Sequence, residues 1–441
     1  MAITGESVFA RGVAPGPAES FYVVGSFGAG RALTIGSESR QSSGGDDLFV
    51  ARVSSSGDLI WFKTFGGSGG DFAFDVDSDG AGNAYVTGRA VGRVAFGGQT
   101  IDAGDGDAVL FKLSGSGDVV WVRQTAGPGG SAGNEVATDA AGNSAIVGPQ
   151  SGPLSIGSGV TVTGPASGTD PFVAYFRSDG TPVWGARLAG QDPGSSETEA
   201  ARGVAIAPDG RTMITGPFSG SLSIAGLTGF GVTSVGDLSD CYVLIIYPDG
   251  QPAALRRYGG PGQDVCRGID GASDGGARLS GTFDVSIFEG TNQLVSAGES
   301  DLFVAALASG GEVLWARGIG SPGDEQGSEL EIGPGDRTFL FGNTTGMAAI
   351  TGGPLIMSGG LRDQVVISFT ANGGFDSVSQ ARGTGDDIAF ALALLPSGMV
   401  GVAGTIGGGP AETATTDFGA TRLTTSGLQS FFAVLQPIPR G

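Results

Sequence analysis

GVAIAPDGRTMITG, residues 203–216, is two short apolar runs joined by Pro-Asp-Gly. Each run is strand-like, and Asp-Gly between such apolar runs marks a tight hairpin, because Gly takes the positive φ of the turn. The same turn returns in CYVLIIYPDGQPAALRRY, residues 241–258. One segment of the chain therefore holds four strands: A (203–207), B (211–216), C (241–247) and D (253–258). The A–B and C–D connections are tight. The B–C connection is near 20 residues and carries smaller runs of its own, as in VAFGGQTID (94–102) and LSIGSGVTV (154–162).

Strand B ends on a glycine that recurs along the chain, as Gly25, Gly88, Gly148, Gly216, Gly281, Gly342 and Gly404, at intervals of 60 to 68 residues. A four-stranded sheet of this kind cannot cover both of its faces alone, and radial packing of such sheets hides the faces and leaves short edges. The expectation is an all-β chain, a seven-bladed β-propeller of four-stranded antiparallel blades in one domain. The blades span about 7–65, 72–125, 134–188, 200–258, 265–319, 327–381 and 387–436. The last unit stops after strand C, SFFAVLQ (430–436), and a spare run, AIT (2–4), precedes the first strand A, VFARGVA (8–14). Residues 2–4 are expected to complete the seventh blade beside 430–436.

Composition fits this reading and narrows the function. There are 85 Gly and 21 Pro in 441 residues, with 40% hydrophobic and 15% charged residues. Many short strands and tight turns account for such a balance. The net charge of −21 argues against nucleic acid or an anionic membrane as partner. The longest apolar runs, such as IAFALALL (388–395), are far below the roughly 20 residues of a membrane helix. MAITGESVF has neither a basic nor an apolar leader region, so no signal peptide is expected there. Cys241 and Cys266 lie in different units and are expected as free buried thiols, a bridge being the less favoured alternative.

Two segments carry a family resemblance. GGSGGDFAFDVDSDGAGNAYVTG (66–88) and VAFGGQTIDAGDGDAVLFKLSGSGDVVWVRQ (94–124) resemble bacterial β-propeller repeats of the SBBP type. Those repeats pair a D-x-x-G-N-x-Y-V-T-G segment with a G-x-D-x-F-V-A-K-L-x-x-x-G segment. The likeness is clear in the first three units and at ESDLFVAALASGGEVLWARG (299–318), and fades in units six and seven. It implies a propeller in an exported or surface-associated bacterial protein, and no particular activity.

Acidic residues recur with the repeat. One stands before strand C, at Asp47, Asp107, Asp170, Asp240, Asp301 and Asp363. Another opens strand A, at Asp71, Glu199, Asp264, Asp324 and Asp387, with Ser131 and Val8 breaking the series. In a propeller both positions fall on the face of the B–C loops. Each carboxylate can accept backbone N–H groups of its own tight loop, or pairs can hold calcium or a basic partner. Trp61, Trp121, Trp184 and Trp315 recur in strand D. Packing between units is the expectation there, and a glycan-binding surface the alternative.

The A–B turn of unit two, DVDSDGAGN (75–83), places Asp75, Asp77, Asp79 and Asn83 at positions 1, 3, 5 and 9, with Gly80 at position 6. It is similar to the calcium turn of integrin-type propellers, with Asn83 in place of the final acid. Calcium is the expected ion if one binds, although no cofactor is required. Val86 at the twelfth position excludes an EF-hand.

The chain contains no His, which removes His-based nucleophile schemes and His-ligated metals. Gly-rich GGSGGD (66–71) precedes no helix, so a phosphate cradle is not expected. Carboxylate chemistry on a glycan is the remaining catalytic reading. The favoured expectation is a non-enzymatic binding or adhesion scaffold whose B–C loops meet a protein or glycan, exported or at a bacterial surface. The alternative is a self-assembling building block of a surface layer or particle.

Overall fold

In the computed structural model, every A–B and C–D hairpin read from the sequence forms as an antiparallel pair. The structure describes residues 3–4, 7–165, 167–190, 200–236, 238–288, 290–407, 413–418, 421–426 and 429–435. The protein is all-β. A single 3-10 turn, Gly290–Asn292, is the only helical element among the described residues, and no helix is long and apolar enough to cross a membrane.

Unit two shows the local plan. Strands A (Phe72–Ser78), B (Ala84–Ala90), C (Asp107–Leu113) and D (Val119–Gln124) hydrogen-bond in the order D-C-B-A. The A strands of the seven units are Phe9–Gly16, Phe72–Ser78, Glu135–Thr138, Gly203–Ile206, Asp264–Gly271, Gln326–Gly333 and Ile388–Leu394. Each lies beside the A strand of the next unit, and that of unit seven lies beside that of unit one.

Period-two side-chain direction explains the core. In strand B of unit one (Ser20–Phe27) every residue is buried. Phe21 and Val23 join a cluster with Ala391, Ala403 and Phe432 of unit seven, while Tyr22 and Val24 join one with Val76, Val86 and Val109 of unit two. Clusters of the same kind join units two and three, three and four, four and five, five and six, and six and seven. Strands B and C are covered on both faces, so they read as continuous apolar runs.

A second link repeats between units. The end of strand D pairs with the first small strand of the next B–C connection: Gly67 with Val94, Leu188 with Ile224, Ile319 with Ile350 and Ala381 with Phe418. The N-terminal strand Ile3–Thr4 makes the matching pair with unit one, Ile3 to Ile35 and Thr4 to Thr34, and lies beside Gln429–Leu435. Its ladder partner is thus the B–C hairpin of unit one; residues 2 and 436 of the expected closure lie outside the described residues. In units five and six the B–C connections are long hairpins that extend the sheet, Ala277–Ile287 with Leu294–Leu307 and Arg337–Ile350 with Leu355–Phe369.

The cysteines correct the expectation of free thiols. Cys241 opens strand C of unit four, Cys266 lies in strand A of unit five, and the two are disulfide-bonded with Cα atoms 5.3 Å apart. Packing of consecutive units brings together residues 25 positions apart. The spacing alone carried no such information.

Candidate functional site

The A strands share an irregularity that aims side chains inward. The A–B ladder is bulged between Ala10 and Gly12, Ala73 and Asp75, Cys266 and Ile269, Gly327 and Glu329, and Ala389 and Ala391. A β-bulge adds a residue to one strand and re-aims its side chain. The added residues include Arg11, Phe74, Arg267 and Phe390. Asn134 and Arg202 take the same place just ahead of the short A strands of units three and four, where their N–H groups donate to Val147 and Thr215. All six line one cavity of about 380 Å³, together with Glu135 and Glu329. Each bulge lies at the start of strand A, away from the A–B turn. The cavity mouth therefore opens on the side where the B–C connections begin.

Beyond the mouth the cavity turns acidic. A second volume of about 210 Å³, which shares Glu135 and Glu329 with the first, is lined by Asp75, Asp77, Asp270 and Glu331. Register explains the layout. Asp75, Glu135 and Glu329 pair with Thr87, Val147 and Phe341 at one level of the A–B ladders. Asp77, Asp270 and Glu331 occupy a level two residues on, and the residue between the levels is apolar and packs between the units, as Val76, Val136 and Leu330 do. Small residues fill the remaining places. A Cβ on Gly12 would stand 2.9 Å from the Asp75 Cα, and one on Gly203 would stand 2.5 Å from the Arg267 carbonyl oxygen. Glycine lets the inner strands approach this closely.

Three of these carboxylates tie neighbouring A strands together. Asp75 accepts the Val136 N–H at 2.9 Å, Asp77 the Thr138 N–H at 2.6 Å and Asp270 the Ile332 N–H at 2.8 Å. They satisfy donors on the strand edge that no fifth strand covers. Desolvation raises the pKa of Asp75 to about 6 and of Asp77 to about 7, the latter pushed further by the charges of Asp75 and Asp270. Burial and mutual repulsion lift Glu135, Glu329 and Glu331 well above the carboxylate range. Like charges crowded in one cavity keep protons.

The expected calcium turn is divided by its neighbours. Asp75 and Asp77 face the cavity, whereas Asp79 turns back to accept the N–H groups of Ala81 and Asn83 and the Asn83 amide. Lys112 Nζ stands 3.0 Å from Asp79 Oδ2 and donates to the Tyr85 hydroxyl at 2.6 Å. The ammonium holds the oxygen that a cation would need, and against burial the Asn83 hydrogen bonds, followed by the Lys112 pairing, keep the Asp79 pKa low. No group of three or more acidic or thiol side chains among the described residues is arranged to hold a metal.

The recurring acids lie beneath the loops rather than on them. Asp47, Asp107, Asp170, Asp240, Asp301 and Asp363 are buried. Asp47 accepts the Ser43 N–H at 2.7 Å, Asp301 that of Ala297 at 2.7 Å and Asp363 that of Gly383 at 2.8 Å, while Asp170 and Asp240 pair with Arg187 and Arg257. Asp71 takes Gly67 and Val91 N–H groups, Asp264 takes Gly260, and Asp387 is buried likewise. The second series needs one correction. The N–H groups of Asp71, Asp264 and Asp387 donate to the residue before the strand C acid, and in unit six Glu325 makes that bond, to Ser300. Glu325, not Asp324, is the equivalent; Ser131 fills the place in unit three. Glu199 lies outside the described residues.

The tryptophans pack between units. The indole N–H groups of Trp61, Trp121, Trp184 and Trp315 donate to Gly115, Ser178, Pro248 and Ala371, in the C–D turn of the following unit. A positive-φ glycine of that turn lies on each ring: Gly117, Gly180, Gly250 and Gly373.

Arg11, Arg202, Arg267, Glu135, Asp270, Glu329 and Glu331 did not emerge from the sequence. The signal available was acid–apolar–acid inside an apolar strand, DVD at 75–77 and ELE at 329–331. No family model matches the chain, and no curated protein matches it. Among solved structures, a protein of unknown function from Dyadobacter fermentans DSM 18053 is similar over 97% of this chain and 95% of that chain, at 9% sequence identity and a TM-score of 0.37.

Proposed function

We propose that the seven units close into a seven-bladed β-propeller of the SBBP repeat type, and that the protein is a non-enzymatic binding scaffold. Its recognition surface is the face where the B–C loops surround the cavity mouth, and its partner is a protein or a glycan. The shared apolar cluster of units seven and one, with Phe21 and Phe432 rings 5.6 Å apart, supports closure. So does the Ile3–Thr4 strand, which pairs with unit one as the end of a strand D pairs with the next unit.

The observation that carries the binding reading is the ring of bulges. Five of the seven A–B ladders are broken at one level, and the cost in ladder bonds is offset by side chains delivered to an open cavity. Loops of differing length on a rigid frame then supply the surrounding surface. The Cys241–Cys266 bridge favours an oxidising compartment, in keeping with export or display at a bacterial surface.

Binding of the labelled protein to arrays of bacterial surface glycans and extracellular proteins tests this reading. Saturable binding that is lost when the B–C hairpin of unit four (221–233) is replaced by a short turn is the expected result. Turnover of a glycan that Asp77→Asn abolishes would instead establish a carboxylate-based enzyme. A second reading, a self-assembling building block, is favoured by Met347, Leu355, Met357 and Leu361, all exposed on the unit six hairpin. Ordered assemblies at high concentration, lost on Met357→Ser, would decide for it.

A further inference from the structure

The B–C hairpins follow one plan, and unit six departs from it. In units one to four and in unit six, one face of the hairpin packs on the core between units, as Ala348, Ile350 and Ile356 do in unit six. Alternate residues form the outer face. There the cross-strand pairs are Thr34–Ser39 in unit one, Ala95–Thr100 in unit two, Ser155–Thr161 in unit three and Ser223–Gly231 in unit four. Unit five pairs Ser286 with Val295. Unit six sets Met347 opposite Met357 and Ala349 opposite Leu355. Met347, Leu355 and Met357 are 55%, 62% and 58% exposed, and Leu361, where the ladder is interrupted, is 67% exposed. We infer that this outer face binds the same face of a second copy, joining two molecules about a two-fold axis.

Charge selects the occupant. The chain carries a net charge of −21, yet no charged residue lies between Arg337 and Arg362. Arg362 itself donates to both oxygens of Asp386. A basic partner would find no carboxylate on this hairpin. An anionic lipid surface would bring charge into the contact, whereas a second copy brings a face as free of charge as this one. Area sets the strength. Four exposed Met and Leu side chains make an apolar patch on the order of 400 Å², large enough to mark a contact site. Two such patches bury about 800 Å² in all, well below permanent interfaces, so the pair is reversible. A two-fold contact is also closed: the binding face is covered on both copies, which gives dimers and not layers.

This inference goes beyond the binding-scaffold reading, and it replaces open-ended assembly at unit six with a closed pair. Analytical ultracentrifugation of the full chain from about 1 to 500 µM, at low and high salt, tests it. A reversible monomer–dimer equilibrium is expected, with no species heavier than the dimer. Raising salt should favour the dimer, because it screens the net charge while the contact contains no ion pair to weaken. Met357→Ser should weaken dimerisation at least about tenfold, since each dimer carries the change twice. Met347→Glu should abolish it. Both side chains are exposed, so the melting temperature of either variant should match the native one. Monomer at every concentration would overturn the inference and leave the face to a different protein. Growth past the dimer without a limiting mass would overturn the two-fold contact in favour of the building block. A dimer that both variants retain would place the contact on another surface and equally overturn it.

Discussion

At the scale of single residues, Asp79 and Lys112 show how context reassigns a motif. Asp75, Asp77, Asp79 and Asn83 are spaced as cation ligands are, yet Asp79 is bound to its own turn and to a buried ammonium. Lys112 comes from strand C, 33 positions away, and is one of only two lysines in the chain. Removing one partner of a buried ion pair leaves an uncompensated charge, so Asp79→Ala should cost about 3 kcal/mol in urea unfolding. Millimolar calcium should leave the melting temperature of the native protein unchanged, and a calcium-dependent rise abolished by Asp79→Ala would restore the metal reading. The tryptophans were legible because an interval of one unit, repeated in strand D, implies a contact repeated between units.

At the scale of elements, the hairpins were readable because alternation and Asp-Gly turns are local properties. The bulges were not. An added residue in strand A is defined only by the partner strand it fails to pair with, and Arg11 or Phe390 looks like any other position in an alternating run. The disulfide belongs to this scale as well, since it joins strand C of one unit to strand A of the next. In the chain-entropy view, closing a loop of this size contributes about 3 kcal/mol. Cys241→Ala with Cys266→Ala should therefore unfold at lower urea by about that amount, and reductant should reproduce the loss in the native protein but not in the variant. Identical midpoints for native and variant proteins would show the bridge to be energetically idle.

At the scale of the whole molecule, the seven A strands gather carboxylates that are far apart in sequence. Asp75, Asp77, Asp270, Glu135, Glu329 and Glu331 face one another across the cavity, with Arg202, Arg267 and Arg11 nearer the mouth. A carboxyl whose pKa is higher folded than unfolded binds its proton more tightly in the native state. Its contribution to stability is full below the unfolded value, near 4, and is lost as pH rises through the folded value. Asp75 at about 6 and Asp77 at about 7, with Glu135, Glu329 and Glu331 higher, set that window. Asp71 at about 6 and Asp264 at about 8 act in the same direction. The melting temperature should thus fall steadily from pH 5 to pH 8. Asp77→Asn keeps an acceptor for the Thr138 N–H and removes a charge. It should raise stability more at pH 8 than at pH 5, the difference being about 1 kcal/mol or more. A flat profile, or one that rises with pH, would contradict the protonated cavity.

The sequence by itself determined the all-β class, the unit length, the order of strands within a unit and the places of the turns. These follow from alternation, glycine and proline, which act over a few residues. It also marked the acids before strand C, whose partners are mostly the N–H groups of their own loops. Only the tertiary structure decided which acids stand beneath loops and which face the cavity, that Glu325 replaces Asp324, and that Cys241 meets Cys266. It alone assembled the ring of Arg11, Arg202, Arg267, Phe74 and Phe390. The reason is physical: Arg11, Phe74, Asn134, Arg202, Arg267 and Phe390 come from six different units, and the cavity acids come from units two, three, five and six. No local stretch contains the site, and its charge balance exists only once the inner strands lie side by side.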